Sequence, residues 1–262
     1  MAKNSKLNLA LASSVAALNG LTLVTIKTLP VLDCAQALDV LPATPNFAKL
    51  RKQLAKRVQA QLTASWIKDG DLFMVFTALT ALWKYDQTLV TGDHLGSALQ
   101  RLFSCEVTVG GPYTSNHKVE LAANLQISSF ISQVAKPLPN VDSFLNNIFE
   151  SDDFDRAILA NPYVLFKFAQ THKMPLLLGY IQNHRHLAPS VAAIALTVLA
   201  DSPAVKQKEQ AALCKQQNKQ GFWFDQEQYI VPTAIITSIL TSLTNTDETS
   251  KAAKANDAHI RH

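Results

Sequence analysis

The sequence is poor in glycine, in cysteine and in charge. Only eight of its 262 residues are Gly, and they form neither G-x-G-x-x-G nor G-x-x-x-x-G-K-[ST], so the common nucleotide-phosphate loops are excluded. Its three cysteines lie far apart without a C-x-x-C pair, which excludes a disulfide framework and a zinc knuckle and favours the reducing cytoplasm. Charged residues make up 17% against 48% hydrophobic residues, so the chain is not disordered and can bury a sizeable core.

Part of the net charge of +4 comes from one basic segment. Its members are Lys49, Arg51, Lys52, Lys56 and Arg57. They recur with helical spacing, which is typical of a solvated outer helix face. A nucleic-acid surface needs more positive charge and interleaved aromatic residues, so we expect no nucleic-acid partner.

Residues 7–26 carry no charge and follow Lys3 and Lys6, which is the outline of a signal peptide or a membrane span. Polar residues such as Asn8, Ser13 and Asn19 interrupt the stretch too often for a span. A similar uncharged stretch covers 228–246. We therefore expect two buried helices of one core and no integral membrane span, with secretion or an N-terminal anchor as the alternative.

Helical periodicity dominates the rest of the chain. An amphipathic helix at 44–62, starting at Thr44-Pro45, precedes an almost wholly apolar one at 72–84, as expected for an outer and an inner helix. A short strand is predicted at 21–29, loops at 107–117 and 137–140, and a single domain at 1–245 followed by a polar, frayed tail at 246–262. Further helices are predicted at 93–104, 118–135, 141–150, 155–172, 174–185, 188–200, 204–219 and 229–244.

Three segments share one layout: an aromatic residue after a turn, a polar stretch, and an apolar helix. Eleven residues separate the aromatic residue from a residue near the centre of the helix: Trp66 and Thr77, Tyr113 and Asn124, Trp223 and Ala234. Helix pairs repeated along a chain stack side by side. The sequence thus predicts an all-α fold, an (α/α) toroid of alternating outer and inner helices, with an open α-solenoid as the alternative.

Residues 217–223, Gln-Asn-Lys-Gln-Gly-Phe-Trp, resemble the Gln…Gly-x-Trp repeat motif of squalene and hopene cyclases, and Leu213 fits the aliphatic position of that motif. The turn Gly110-Gly111-Pro112-Tyr113 is similar to the corresponding turn in bacterial relatives. The resemblance implies the toroid of the terpenoid cyclase and protein prenyltransferase superfamily, with a central apolar pocket for an isoprenoid or other lipid-like ligand. It also implies that the Gln and the aromatic ring tie an outer helix to the next inner one.

The catalytic motifs of that superfamily are missing. There is no Asp-x-Asp-Asp for protonating an alkene, and Asp33-Cys34 are adjacent where the zinc-binding pair of prenyltransferases is Asp-x-Cys. Catalysis is therefore left open, and the alternative is a non-catalytic helical scaffold that binds a protein or peptide partner.

The turn of the second segment is the strongest candidate site. Glu120 and Asn124 are four residues apart and share one face of an apolar helix, so they need buried partners or a cavity. If the protein is an enzyme, Glu120 is the predicted proton donor or acceptor with His117 beside it, and Tyr113 and Asn124 bind the ligand. The alternative is that Glu120 and His117 cap the helix in solvent.

Trp66 and Trp223, at the other two turns, are further ligand-binding candidates. Asp152 and Asp153, in the acidic run 150–155, are candidates for binding a diphosphate through Mg²⁺, the one cofactor considered. The alternative there is a loop whose acids favour the next helix N-terminus. No metal site is predicted, because His184 and His186 do not share a helix face.

A toroidal carbohydrate enzyme is a third function class, since Asp71, Glu120 and Asp225 all lie at repeat turns. It requires two of these carboxylates to face each other across a pocket.

Overall fold

A computed structural model describes residues 4–115, 118–148, 161–172 and 175–259, without the side chains of the least certain positions among them. These residues form an all-α fold of fourteen α-helices. The helices are α1 (Asn4–Asn19), α2 (Leu23–Thr28), α3 (Val31–Val40), α4 (Ala48–Gln59), α5 (Ala64–Asp69), α6 (Leu72–Tyr85), α7 (Gly92–Cys105), α8 (Leu121–Val134), α9 (Pro139–Ile148), α10 (Pro162–Thr171), α11 (Pro175–His184), α12 (Pro189–Val198), α13 (Pro203–Lys215) and α14 (Ile230–His259). Two short 3-10 helices, Pro45–Phe47 and Gln87–Leu89, and a two-residue hairpin of β1 (Thr114–Ser115) with β2 (Lys118–Val119) complete it.

Side-chain caps fix several of the helix starts. Five residues each accept a hydrogen bond from a backbone N–H in the first turn of the helix that follows: Thr63, Asp71, Thr91, Asn161 and Ser202. Such caps satisfy N–H groups that have no partner within the helix. Proline occupies the first turn of α10, α12 and α13, where its missing N–H costs no helical hydrogen bond.

The predicted helices from residue 44 onward lie within a few residues of α4, α6 to α9 and α11 to α13, and α10 covers the described part of 155–172. The helix predicted at 229–244 starts as α14 does but ends well before it. The predicted strand at 21–29 is wrong, because Leu23–Thr28 is a helix whose start Thr22 caps. Two helices were not predicted, α3 and α5. The N-terminal uncharged segment is divided into α1 and α2, and α1 buries only a stripe of Ala10, Ser14 and Leu18.

Six helices carry most of the buried residues, and their contacts follow a series. α3 packs against α6, α6 against α8, α8 against α10, α10 against α12, α12 against α14, and α14 against α3. The more exposed helices lie against this series: α4 contacts α3 and α6, α9 contacts α8, and α11 and α13 contact α12. α1 contacts α13 and α14, so the first helix of the chain packs against the last two.

Helix α14 continues to His259. Its first part, to Leu240, is almost wholly buried, as the uncharged sequence predicts, and Pro232 lies in its first turn without breaking it. The tail at 246–262 was expected to fray, but its backbone is helical as far as His259. The side chains of this tail and its last three residues lie outside the described residues. The domain boundary at 245 stays a prediction. Among the described residues, none of the helices combines the length and apolarity needed to cross a bilayer.

Candidate functional site

Asn124, predicted to bind a ligand, instead fixes the turn before its own helix. Its side chain is fully buried. Its amide oxygen accepts a hydrogen bond from the Tyr113 N–H at 2.8 Å, and its amide nitrogen donates to the carbonyls of Tyr113 and Glu120, both at 2.9 Å. Both amide protons are thereby used, so Asn124 has no donor left for a ligand.

The turn before α14 is fixed in the same way, but over a spacing of ten residues where the repeated layout has eleven. The Thr233 hydroxyl accepts from the Trp223 N–H at 3.0 Å and donates to the Trp223 carbonyl at 3.2 Å. Thr233 is the fourth residue of α14, just as Asn124 is the fourth residue of α8. Ala234, the residue that follows Trp223 by eleven positions in the repeated layout, is buried but has no side-chain hydrogen-bonding group.

The Gln…Gly-x-Trp segment, between α13 and α14, bonds to the first helix, α1. Gln217 donates to the carbonyls of Ala10 in α1 and Gly221, both at 2.9 Å, and the fully buried Trp223 donates from its indole to the carbonyl at residue 213 at 2.8 Å. Gly221 has φ +90°, and a Cβ there would lie 2.5 Å from the Ser13 carbonyl oxygen. Only glycine allows this approach of the backbone to α1. Trp223 therefore has a packing role and no free surface for a ligand.

The remaining predicted site residues are not brought together at one pocket among the described residues. Glu120 is half-buried at the N-cap position of α8 without capping that helix, and His117 lies outside the described residues. Trp66 is half-buried in α5 and packs against the core. Asp152 and Asp153 also lie outside the description.

The acids at the other two turns have structural partners. Asp71 accepts a hydrogen bond from the Met74 N–H at 2.9 Å and caps α6. Asp225 accepts from the backbone and hydroxyl of Ser190 at the start of α12, and burial raises its pKa, although these hydrogen bonds oppose the shift. Both therefore act as helix caps. In the part of the chain that is described, no group of three or more His, Cys, Asp or Glu residues could hold a metal ion.

A buried charged cluster inside the helix series was not predicted from the sequence. Asp39 of α3, 1% exposed at its side chain, lies 2.6 Å from Lys84 Nζ of α6 and 3.0 Å from Lys167 Nζ of α10. The Tyr163 hydroxyl lies 2.8 Å from Asp39 Oδ2 and 3.3 Å from Gln126 Oε1 of α8. A hydroxyl has one proton, so it donates to one oxygen at a time, and the shorter contact favours Asp39.

The charges of this cluster shift one another. Burial raises the pKa of Asp39, but the Lys167 and Lys84 ammonium groups outweigh it and hold that pKa below its ordinary value. Burial lowers the pKa of Lys167 in spite of Asp39, and burial together with the Asp39 charge raises the pKa of Tyr163 well above its ordinary value. Asp39 thus stays ionised, and the cluster joins α3, α6 and α10 by charge.

Among the described residues, a concave surface site lies on the outside of the molecule, between α2 and α4. This α2–α4 groove has a volume of about 680 Å³ and is lined by Leu23, Ile26, Lys27, Lys49, Lys52, Gln53, Lys56, Arg57 and Ala60. Its lining includes five cationic side chains and no acidic one. Apolar residues and the aliphatic stems of the lysines form the walls, while the ammonium groups stay in water.

The contacts of Arg57 and Arg51 determine which basic side chains of α4 face the groove. Arg57 donates to the Leu29 carbonyl at 3.4 Å and so ties α4 to the turn after α2. Arg51 points elsewhere, because its guanidinium lies 5.4 Å from the centre of the Tyr85 ring. Lys49, Lys52 and Lys56 are exposed, as the predicted outer face requires, but they border a concave apolar surface that the sequence did not predict.

Comparison of the chain with protein-family models, with curated proteins and with solved structures found no match in any of the three. The resemblance to the terpenoid cyclase and protein prenyltransferase superfamily therefore stays a prediction.

Proposed function

We propose that this protein is an (α/α) toroid that binds, without transforming it, a lipid-like molecule with an anionic head group, and that the ligand lies in the α2–α4 groove. The toroid is supported by the contact series that runs from α3 through α6, α8, α10 and α12 to α14 and returns to α3. An open solenoid leaves its terminal helices apart, whereas α1 packs against α13 and α14.

One observation carries the ligand assignment: five cations and no acid line an apolar groove. An apolar floor of Leu23, Ile26 and Ala60 stabilises a hydrocarbon chain, at about 25 cal/mol for each Å² of apolar surface removed from water. The ammonium groups of the lysines at the rim, such as Lys49 and Lys52, attract a phosphate or carboxylate. A ligand with both parts, a chain and an anionic head, uses the whole lining.

A binding role is favoured over catalysis because two predicted ligand residues and two acids at the repeat turns already have structural partners. Asn124 and Trp223 are buried and bonded to the backbone, and Asp71 and Asp225 bond to helix starts. The family resemblance implies a lipid-like ligand in a central pocket, whereas the ligand proposed here has an anionic head group and lies in the outer groove. The missing metal and acid motifs agree with the non-catalytic alternative.

The test is a calorimetric titration of the purified protein with monomeric decyl phosphate, compared with decyl glucoside, which has the same chain without the charge. We expect saturable one-to-one binding of the phosphate and at least tenfold weaker binding of the glucoside. Lys52→Glu should weaken phosphate binding at least tenfold, because it replaces an attractive charge by a repulsive one. Lys208→Glu, on the exposed face of α13, is the matched control and should have no effect.

Equal affinity for the two amphiphiles, or equal loss in both variants, would remove the α2–α4 groove as the ligand site. The toroid is tested separately by small-angle scattering, where a crescent-shaped particle would contradict it.

A further inference from the structure

The structure assigns the face that surrounds the α2–α4 groove a second property: we infer that it docks on a membrane surface that contains anionic lipids. This inference rests on the proposed function, because it names the source from which the groove receives its ligand. The partner is identified by chemistry alone, as a surface that presents phosphate groups above hydrocarbon.

Two exposed aliphatic side chains stand at the start of α2. Leu23 and Val24 are 52% and 73% exposed. The helix that carries them is fixed by its cap, where the Thr22 hydroxyl accepts from the Thr25 N–H at 3.1 Å, and by the buried Ile26. Aliphatic residues held at the surface in this way bury their apolar area when they enter the head-group region of a bilayer.

A stripe of lysines lies beside these two residues. Lys49, Lys52 and Lys56 follow one another at three and four residues, so they share one face of α4, and Lys27 of α2 lies across the groove from them. All four are exposed. Basic residues near an anionic leaflet each strengthen adsorption by a factor of about five, and their flexible stems let the ammonium groups reach phosphates at different depths.

A bilayer fits this face better than a peptide does. Val24 is the more exposed of the two aliphatic residues, but it does not line the groove. A peptide bound in the groove leaves Val24 in water, whereas a flat surface with an apolar interior covers Leu23 and Val24 together while the lysines contact its phosphates. The lining of the groove, which is cationic and includes no acidic residue, then faces lipid head groups of opposite charge.

The experiment is flotation of the purified protein with phosphatidylcholine vesicles, with and without phosphatidylserine. We expect binding to the anionic vesicles only, and its loss as salt is raised. Lys49→Gln/Lys56→Gln, which removes two charges seven residues apart, should weaken partitioning about 25-fold. The control Lys208→Gln/Lys215→Gln removes two exposed charges with the same spacing on α13 and should leave partitioning unchanged.

Two further variants separate this inference from the proposed function. Val24→Ser, outside the groove lining, should weaken vesicle binding severalfold and leave decyl phosphate binding unchanged. Ala60→Trp, which fills one end of the groove, should block decyl phosphate and leave vesicle binding. Equal flotation with neutral and anionic vesicles would overturn the membrane inference, as would an unaffected Val24→Ser variant. Binding to a polyglutamate peptide without binding to anionic vesicles would also overturn it and would make this face a protein-docking surface.

Discussion

Replacing Asp39 by Asn removes the one negative charge of the buried cluster while keeping the size of the side chain. In the parent protein this carboxylate contacts Lys167 at 3.0 Å and accepts the Tyr163 hydrogen bond at 2.8 Å. The side chain of Lys167 is only 5% exposed, so its ammonium group has no water to replace the lost partner. Lys84, at 39% exposure, can turn back toward solvent.

The cost follows from that difference in burial. Removing one partner of a buried ion pair destabilises a protein by about 3–5 kcal/mol, because the other charge is left uncompensated. Since total stabilities are about 5–15 kcal/mol, the substitution should remove a large share of the free energy of unfolding. For a chain of this size the midpoint of thermal unfolding should fall by about 10 °C.

The assay is urea unfolding followed by circular dichroism, with two comparisons. Asp201→Asn removes a carboxylate that pairs with Arg185 at 2.8 Å, but both side chains there are partly exposed, so it should cost less than about 1 kcal/mol. The double variant Asp39→Leu/Lys167→Met replaces both charges of the buried pair and should recover most of the loss. A loss at Asp39→Asn no larger than at Asp201→Asn would refute the assignment of a buried charge cluster.

The pH dependence provides an independent test of the same cluster. In the parent, the pKa of Asp39 is below its ordinary value, so its contribution to stability is present above the unfolded pKa and is lost as the pH falls through the folded one. In Asp39→Asn, Lys167 faces Lys84 without a carboxylate, and its already lowered pKa falls further. The folded variant then binds fewer protons than the unfolded chain, so its stability should rise with pH toward the ordinary lysine pKa of about 10.4.

Three other substitutions, and one control inside a helix, test the packing of the turns by denaturant unfolding. Trp223→Ala should cost about 3–5 kcal/mol, because it empties a fully buried site, and a negligible loss would mean that the turn is misassigned. Asn124→Ala should cost about 2–4 kcal/mol and raise amide exchange at Tyr113, whose N–H and carbonyl lose their partner; unchanged exchange would contradict the contact. Gly221→Ala should cost more than about 1 kcal/mol at its positive φ, whereas Gly96→Ala, with open space inside α7, should stabilise by about 0.5–1 kcal/mol, and equal effects would contradict the close approach to α1.

The turn residues show how far the sequence leads toward the site. The repeated layout pairs Tyr113 with Asn124, and two hydrogen bonds join these residues in the structure. It did not indicate what they do: a buried amide next to an aromatic residue fits a ligand site and a structural contact equally well until its partners are known. At Trp223 the bonded residue is Thr233, one position before the residue that the repeated layout pairs with this tryptophan.

The charged cluster was out of reach for a different reason. Asp39 lies in α3, a short helix between Pro30 and Pro42 that was not predicted, and its partner Lys167 follows 128 residues later. A lysine in an apolar helix such as α10 and an aspartate near a helix end each have ordinary solvent-exposed uses. Only the packing of α3 against α6 and of α10 inside the helix series puts these charges within an ion-pair distance.

The sequence by itself determined the helical class and the position of most helices, because hydrophobic periodicity and caps act over a few neighbouring residues. The tertiary structure alone decided which side chains meet. The lysines of α4 become the rim of the α2–α4 groove only because Leu23–Thr28 folds as a helix and packs beside them. Contacts between distant segments depend on how helices pack, and no local pattern records that.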